Sequence, residues 1–156
     1  MSLQSVRAFL SVRAPDIEIL ELQNSTATVA LAAEGHGVEP GQIAKTLSLR
    51  VGDRCFLVVT RGDARLDNKK VKAVFGGKAS MLNPDEVLAI TGHPVGGVCP
   101  FGLATPLDVY CDASLKVFDE VVPAAGSTHS AVRISPQRMA EIVAAQWVDV
   151  CQASAT

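Results

Sequence analysis

From Lys45 onward the hydrophobic pattern acquires a period of two: KTLSLRV alternates, GDR turns the chain, and CFLVVT follows as an apolar run ending at Thr60. Alternation at this period marks a strand, and strands joined by so short a turn can only be antiparallel neighbours. Residues 45–60 therefore read as a β-hairpin. This argues against a doubly wound, all-parallel sheet, whose strands are joined by crossovers of about a dozen residues or more. A hairpin also needs an apolar surface to pack against. The chain supplies it: 48% of its 156 residues are hydrophobic and 19% charged, a globular balance far from that of disordered chains. That length suits one domain, residues 1–156, with its own core and no need of a disulfide or metal for stability.

Capping and breaking residues place the other elements. Leu3, Val6, Phe9, Leu10 and Val12 recur at helical spacing behind Ser2, and the helix stops before Pro15. The two arginines and absence of acid in this stretch also resemble a mitochondrial presequence, but its apolar positions fit a core helix better. A strand is expected at Ile17 to Leu22, then a helix capped by Ser25 or Thr26 that ends in EGHG, and a short helical turn at Pro40. Asp67 caps a helix over Asn68 to Phe75 that ends at Gly76-Gly77. A strand follows at Lys78 to Leu82, and Asn83-Pro84 opens another helix ending near Gly92. Strands at Leu107 to Cys111, Glu120 to Ala124 and Ala131 to Ile134 precede a C-terminal helix opened by Ser135-Pro136. The expected class is mixed α+β (α/β), with a mixed, partly closed sheet or barrel surrounded by helices.

Several function classes fall away. No apolar run approaches the ~20 residues of a membrane span, so no membrane is expected as partner. Cys55, Cys99, Cys111 and Cys151 form no C-x-x-C pair, which fits free thiols in a reducing, cytoplasmic setting. His36, His93 and His129 share no ligand spacing, so no metal is expected. No phosphate-binding glycine motif of standard spacing is present.

What remains is a short set of candidates. His93 to Gly102, HPVGGVCPFG, has three glycines and two prolines, so it is neither regular helix nor central strand. Its glycines, Gly96 and Gly97 above all, let backbone amides approach a ligand and hold a developing oxyanion, or else simply serve a tight connection. Lys45 lies in apolar context, where an ammonium needs a partner or must snorkel to water. Ala125-Gly126-Ser127-Thr128-His129-Ser130 is a polar loop that either lines a pocket or makes a turn. Cys99 with His93 or His129 would make a cysteine hydrolase if the fold brought them together; the thiol precedes a proline and opens no helix that would lower its pKa. The formal charge is −2, yet residues 61–78 carry six basic side chains against Asp63 and Asp67, a local +4. Within that stretch Lys69, Lys70 and Lys72 offer either contacts to nucleic-acid phosphates or a solvated helix face.

The order of IAKTL at 43–47, LDNKKV at 66–71, GGVCPFG at 96–102, the Ala125-Gly126 turn and the Ser135-Pro136 helix resembles the YbaK/prolyl-tRNA synthetase-associated domain family. The resemblance implies a YbaK-like fold and an aminoacyl-tRNA deacylase without a cofactor. It would clear the ester of mischarged tRNA, with alanine, cysteine and serine on tRNA-Pro as candidate substrates and prolyl-tRNA synthetase as a candidate partner. It implies that Lys45, Gly96 and Gly97 carry catalysis and that water or a substrate group is the nucleophile. It further implies substrate contacts at Thr26, Thr28, Thr46, Val98, Cys99, Pro100, Gly102, Gly126, Ser127 and His129, and acceptor-stem contacts at Lys69, Lys70 and Lys72. The chain departs from cysteine-specific relatives in having no aromatic residue between Ile17 and Ala33. A methylene is worth only about 1–3 kcal/mol in a pocket, which is why a synthetase that confuses small amino acids needs a second sieve. The alternative is a non-catalytic module of the same fold that holds a tRNA end or a synthetase.

Overall fold

The computed structural model describes residues 2–152. Helix α1 (Ser2–Arg13) and strand β1 (Leu20–Glu21) lead into α2 (Val29–His36), followed by a 3-10 turn at Pro40–Gln42. The hairpin is β2 (Ile43–Val51) and β3 (Arg54–Arg61), paired antiparallel with Lys45 opposite Thr60. Then come α3 (Asn68–Phe75), β4 (Ser80–Met81), α4 (Pro84–Thr91), β5 (Val109–Asp112), β6 (Val122–Pro123), β7 (Ser130–Ala131), α5 (Pro136–Ile142) and β8 (Gln146–Val148).

Strands run in the order β4-β2-β3-β5-β8, with β6 also paired to β2. The β3–β5, β5–β8 and β2–β6 pairs are parallel, the others antiparallel, so the sheet is mixed. Bridges Val121–Ile134 and Ala124–Ala131 carry the ladder from β6 to β7, which pairs with β1. The sheet thus curls past its β2 edge, as expected for a partly closed sheet.

Strand β3 explains the layering. Phe56, Leu57, Val58 and Val59 are all fully buried, the continuous apolar run of a strand covered on both faces. Leu57 and Val59 point into the main core with Val6 and Leu10 of α1 and Met139 and Ala140 of α5. Phe56 and Val58 point the other way, to Val71 of α3 and Tyr110. A third, smaller cluster joins Ala32 and Ala33 of α2 to Ile43, Val122 and Ala131.

Helix signals hold where the chemistry is local. Asp67 accepts from the Lys69 and Lys70 amides, Asn83 and Glu86 form a reciprocal capping box, and Gly76 and Gly92 end their helices in the left-handed conformation. Strand ends differ more. The first strand shrinks to Leu20–Glu21, the strand before α4 to Ser80–Met81, and that near residue 107 is shifted to Val109–Asp112. The α2 cap is Thr28 rather than Ser25 or Thr26, because the Thr26 amide and hydroxyl are both committed to the Thr128 carbonyl. After α5, Ala144 takes a positive φ of 54° and turns the chain into β8, whose parallel pairing with β5 no local pattern announces.

Candidate active site

Below α2 and beside the start of β2 lies a cavity of about 320 Å³. Its walls come from four places: the Thr26–Val29 entry to α2, the first half of β2, the β4–α4 corner with Met81, Leu82 and Val87, and the glycine segment with Val95, Gly96 and Val98. Ser130 and Ala131 of β7 close it. Such a cavity, apolar with a few convergent polar groups, is the usual form of a small-molecule site. Among the described residues Lys45 is its sole ionisable residue. With no carboxylate or imidazole among the described lining residues, the wall's hydroxyls have no partner of the usual kind to activate them as nucleophiles.

Lys45 does not snorkel to water. Its Nζ donates to the Ala64 carbonyl at 2.6 Å in the loop after β3. Desolvation holds its pKa below the ordinary lysine value, partly offset by the charges of Cys151 and Asp63. An ammonium has three donors, so one bond to Ala64 leaves two N–H groups uncommitted. Thr46 and Ser48 of β2 also line the cavity, and Thr46 Oγ1 has no partner among the described residues.

The glycine segment divides its work between residues. Gly96 has φ +94°, and a Cβ there would sit 2.8 Å from Ala27 Cβ, so only glycine fits. Gly96 and Val98 line the cavity, and neither amide has a hydrogen-bond partner among the described residues. The Gly97 amide, in contrast, donates to the Pro94 carbonyl at 2.9 Å, and the Gly97 carbonyl accepts from Gly126 N–H at 3.0 Å. Gly97 is a packing position: an added Cβ would meet the Ser127 backbone at 2.7 Å. The amides left free in the residues that line the cavity are thus those of Gly96 and Val98.

Of the other expected contacts, Thr26, Thr28, Thr46 and Val98 line the cavity. Cys99, Pro100, Gly102, Gly126, Ser127 and His129 lie outside its wall. Cys99 is fully buried in the main core, and desolvation pushes its thiol up to about 12. The fold does bring Cys99 Sγ within 3.6 Å of His93 Nε2, but both are sealed from solvent and the ring is bound to the Phe101 carbonyl at 2.7 Å. A buried thiol with a raised pKa is inert, which removes the cysteine-hydrolase reading. Gly102 packs its α-carbon against the Ser5 carbonyl of α1, Ser127 pairs with Ser130, and His129 is exposed. No group of three metal-ligating side chains gathers among the described residues.

The three lysines of α3 also separate. Lys69 and Lys72, with Lys78, line a second depression of about 280 Å³. Lys70 turns away, bound to Asp149 at 3.0 Å and to the Cys151 carbonyl. Ser48 is a cavity residue that sequence reasoning missed, although it lies two positions from Thr46 in the alternating strand, whereas Ser130 is the one residue of the polar 125–130 loop that lines the cavity.

A family model for the aminoacyl-tRNA editing domain matches residues 23–142. The chain belongs to the aminoacyl-tRNA editing domain family. It is 49% identical over 154 residues to the uncharacterized protein YwhH of Bacillus subtilis (strain 168), covering 97% of this chain and 98% of that one. It is 27% identical over 121 residues to EbsC of Enterococcus faecalis, provisionally named a Cys-tRNA(Pro)/Cys-tRNA(Cys) deacylase, covering 76% and 73%. A crystal structure described as a candidate trans-editing enzyme for prolyl-tRNA synthetase superposes with a TM-score of 0.90 at 33% identity, covering 97% and 98%. Editing-domain membership confirms the fold expected from the IAKTL and GGVCPFG motifs. The match leaves out α1 and β8, both of which pack onto the domain's core.

Proposed function

We propose that the chain is an aminoacyl-tRNA deacylase that hydrolyses the ester of mischarged tRNA, foremost tRNA-Pro bearing alanine, cysteine or another small amino acid. The observation that carries this reading is the cavity wall, where Gly96 and Val98, whose amides have no partner among the described residues, stand with the half-buried Lys45 and no carboxylate, imidazole or thiol is among the described lining residues. An aminoacyl ester is activated, so its hydrolysis needs positioning and oxyanion stabilisation more than a covalent intermediate. In this arrangement the Gly96 and Val98 amides hold the oxyanion, and the two free Lys45 donors orient the ester and its ribose. Water or a group of the substrate attacks. The small aliphatic wall of Ala32, Ala44 and Val122 surrounds the amino-acid side chain, and Thr26, Thr28, Thr46 and Ser130 supply hydroxyls near it. Lys69 and Lys72 meet the acceptor-stem phosphates, and the enzyme works in the cytosol alongside prolyl-tRNA synthetase. The relatives named for Cys-tRNA deacylation and for trans-editing support the same assignment.

The test is a deacylation panel at micromolar protein over alanyl-, cysteinyl-, seryl- and prolyl-tRNA-Pro. The expected result is rapid loss of the small non-cognate amino acids and survival of the prolyl ester. A binding module would protect every ester, which would overturn the proposal.

A further inference from the structure

We propose that His93 is a positioning residue for deacylation: its buried imidazole bolts the glycine segment to the first turn of α1 and so sets how that segment presents its amides to the cavity. The kinetic consequence rests on the deacylase reading above; the geometry does not.

The ring is completely buried. Because the Phe101 carbonyl can only accept, Nε2 carries the proton and donates to it at 2.7 Å. In the neutral ring Nδ1 is then a bare acceptor 2.5 Å from Ser2 Oγ, and it shares the single Ser2 hydroxyl proton with the Gly126 carbonyl. Desolvation lowers the ring's pKa from its ordinary value, which favours this neutral form. The backbone of His93 is anchored as well: Thr91 Oγ1, at the end of α4, accepts its amide at 3.0 Å and donates to the Val87 carbonyl at 2.6 Å. One residue thus ties α4, the far end of the glycine segment and α1 together.

These ties matter because the layers between them meet at glycines that have no room for a side chain of their own. Ser2 Oγ also lies against the Gly126 carbonyl, and a Cβ on Gly126 would sit 2.8 Å from the Ser2 carbonyl oxygen. Gly126 N–H bonds Gly97, and Gly97 and Gly96 have no room for a Cβ against Ser127 and Ala27. From α1 to the wall of the cavity the backbone is therefore a stack with no slack, and a shift of one layer passes to the next. The His93–Phe101 bond closes a loop over the residues that carry the Gly96 and Val98 amides. Removing it leaves those donors spread over more orientations, and a misplacement of about 1 Å costs up to about 100-fold in rate. Donors aimed at the transition state act on kcat and leave KM nearly constant.

The experiment measures deacylation of alanyl- and cysteinyl-tRNA-Pro by the wild-type protein, His93→Leu, His93→Gln and Ser2→Ala, with rates normalised to folded protein. Amide exchange at Gly97, Gly126 and the β3 residues is followed in parallel. His93→Leu loses both ring bonds and is expected to lower kcat at least about tenfold with KM within about twofold. His93→Gln, which keeps a donor for Phe101, recovers most of that loss, and Ser2→Ala falls between wild type and His93→Leu. Exchange at Gly97 and Gly126 speeds up in His93→Leu and Ser2→Ala while β3 stays protected. Should His93→Leu fail to fold, His93→Gln and Ser2→Ala carry the test. Wild-type kcat in the folded variants, with unchanged exchange at Gly97 and Gly126, overturns the proposal. If the wild-type protein cleaves none of the esters, the deacylase reading falls instead, and the exchange data alone decide whether His93 holds the segment.

Discussion

The glycine segment has two sides that differ in kind. Toward the cavity it shows Val95, Gly96 and Val98, which carry no reactive side chain. Toward the core it shows His93, Cys99 and Phe101, each fully buried. The residues with the most chemistry of their own, a thiol and an imidazole 3.6 Å apart, are the ones doing structural work. The residues with the least line the cavity with amides that have no partner among the described residues. On the deacylase reading proposed above, reactivity is then a property of the backbone and of one lysine. Burial cancels the nucleophilicity of Cys99, since a thiol pushed up to about 12 has almost no thiolate at neutral pH.

The largest effects should come from the cavity side. Lys45→Ala removes the one ionisable group in the wall and is expected to slow deacylation on the order of 100-fold or more, the usual loss for one transition-state donor, while the melting temperature moves little. Single-turnover hydrolysis beside a thermal melt checks this. A folded Lys45→Ala protein with wild-type rates would break the cavity side of the comparison. Next in size is Gly96→Ala. Its positive φ and the Ala27 Cβ at 2.8 Å impose about 1–3 kcal/mol of strain and displace the amide. The expected outcome is at least about tenfold lower kcat, as for a misplaced donor. Gly37→Ala makes the control, because Gly37 also has a positive φ but no atom within 4 Å of the added methyl. It should cost stability alone.

The core side predicts the opposite pattern. Cys99→Ala shortens a fully buried side chain, with a stability loss of about 1–2 kcal/mol and an unchanged deacylation rate per folded molecule. Denaturant titration and the same kinetic assay separate the two. Loss of activity with the fold intact would return Cys99 to the chemistry.

Legibility in the sequence followed the range of the interactions. The hairpin, the Asp67 and Asn83 caps and the glycine helix ends were readable because each rests on contacts a few residues apart. Lys45 and Gly96 stood out as an ammonium in apolar context and a glycine in a segment that cannot be regular structure. Strand β8 was not readable, since it depends on a partner far along the chain, Tyr110 pairing with Gln146; the 125–130 loop was readable as a pocket lining or a turn, but not that Ser130 is its cavity residue, beside β2 only because β6 and β7 fold back across it. That Cys99, Pro100 and Gly102 lie outside the cavity wall has one cause. A motif names a segment, and only the backbone's turns decide which of its residues face a cavity and which face the core.

The smallest expected effect concerns charge. The cavity offers only Lys45, so the attraction that holds a polyanion must come from elsewhere, and α3 supplies it unequally. Lys69 and Lys72 line an open depression, whereas Lys70 spends its ammonium on Asp149 and the Cys151 carbonyl, with a pKa raised chiefly by the Asp149 hydrogen bond. Each phosphate contact releases counterions, so losing one should lower the slope of log affinity against log salt by about one. Lys69→Ala and Lys72→Ala together are expected to flatten the slope by about two and weaken tRNA binding at low salt, with kcat unaltered. Lys70→Ala should scarcely change the slope, because its ammonium is already neutralised within the protein, and should instead loosen the chain end that it ties to α3. Equal slopes for all three lysines would mean that the Asp149 pair opens when RNA arrives, and the division within α3 would be lost.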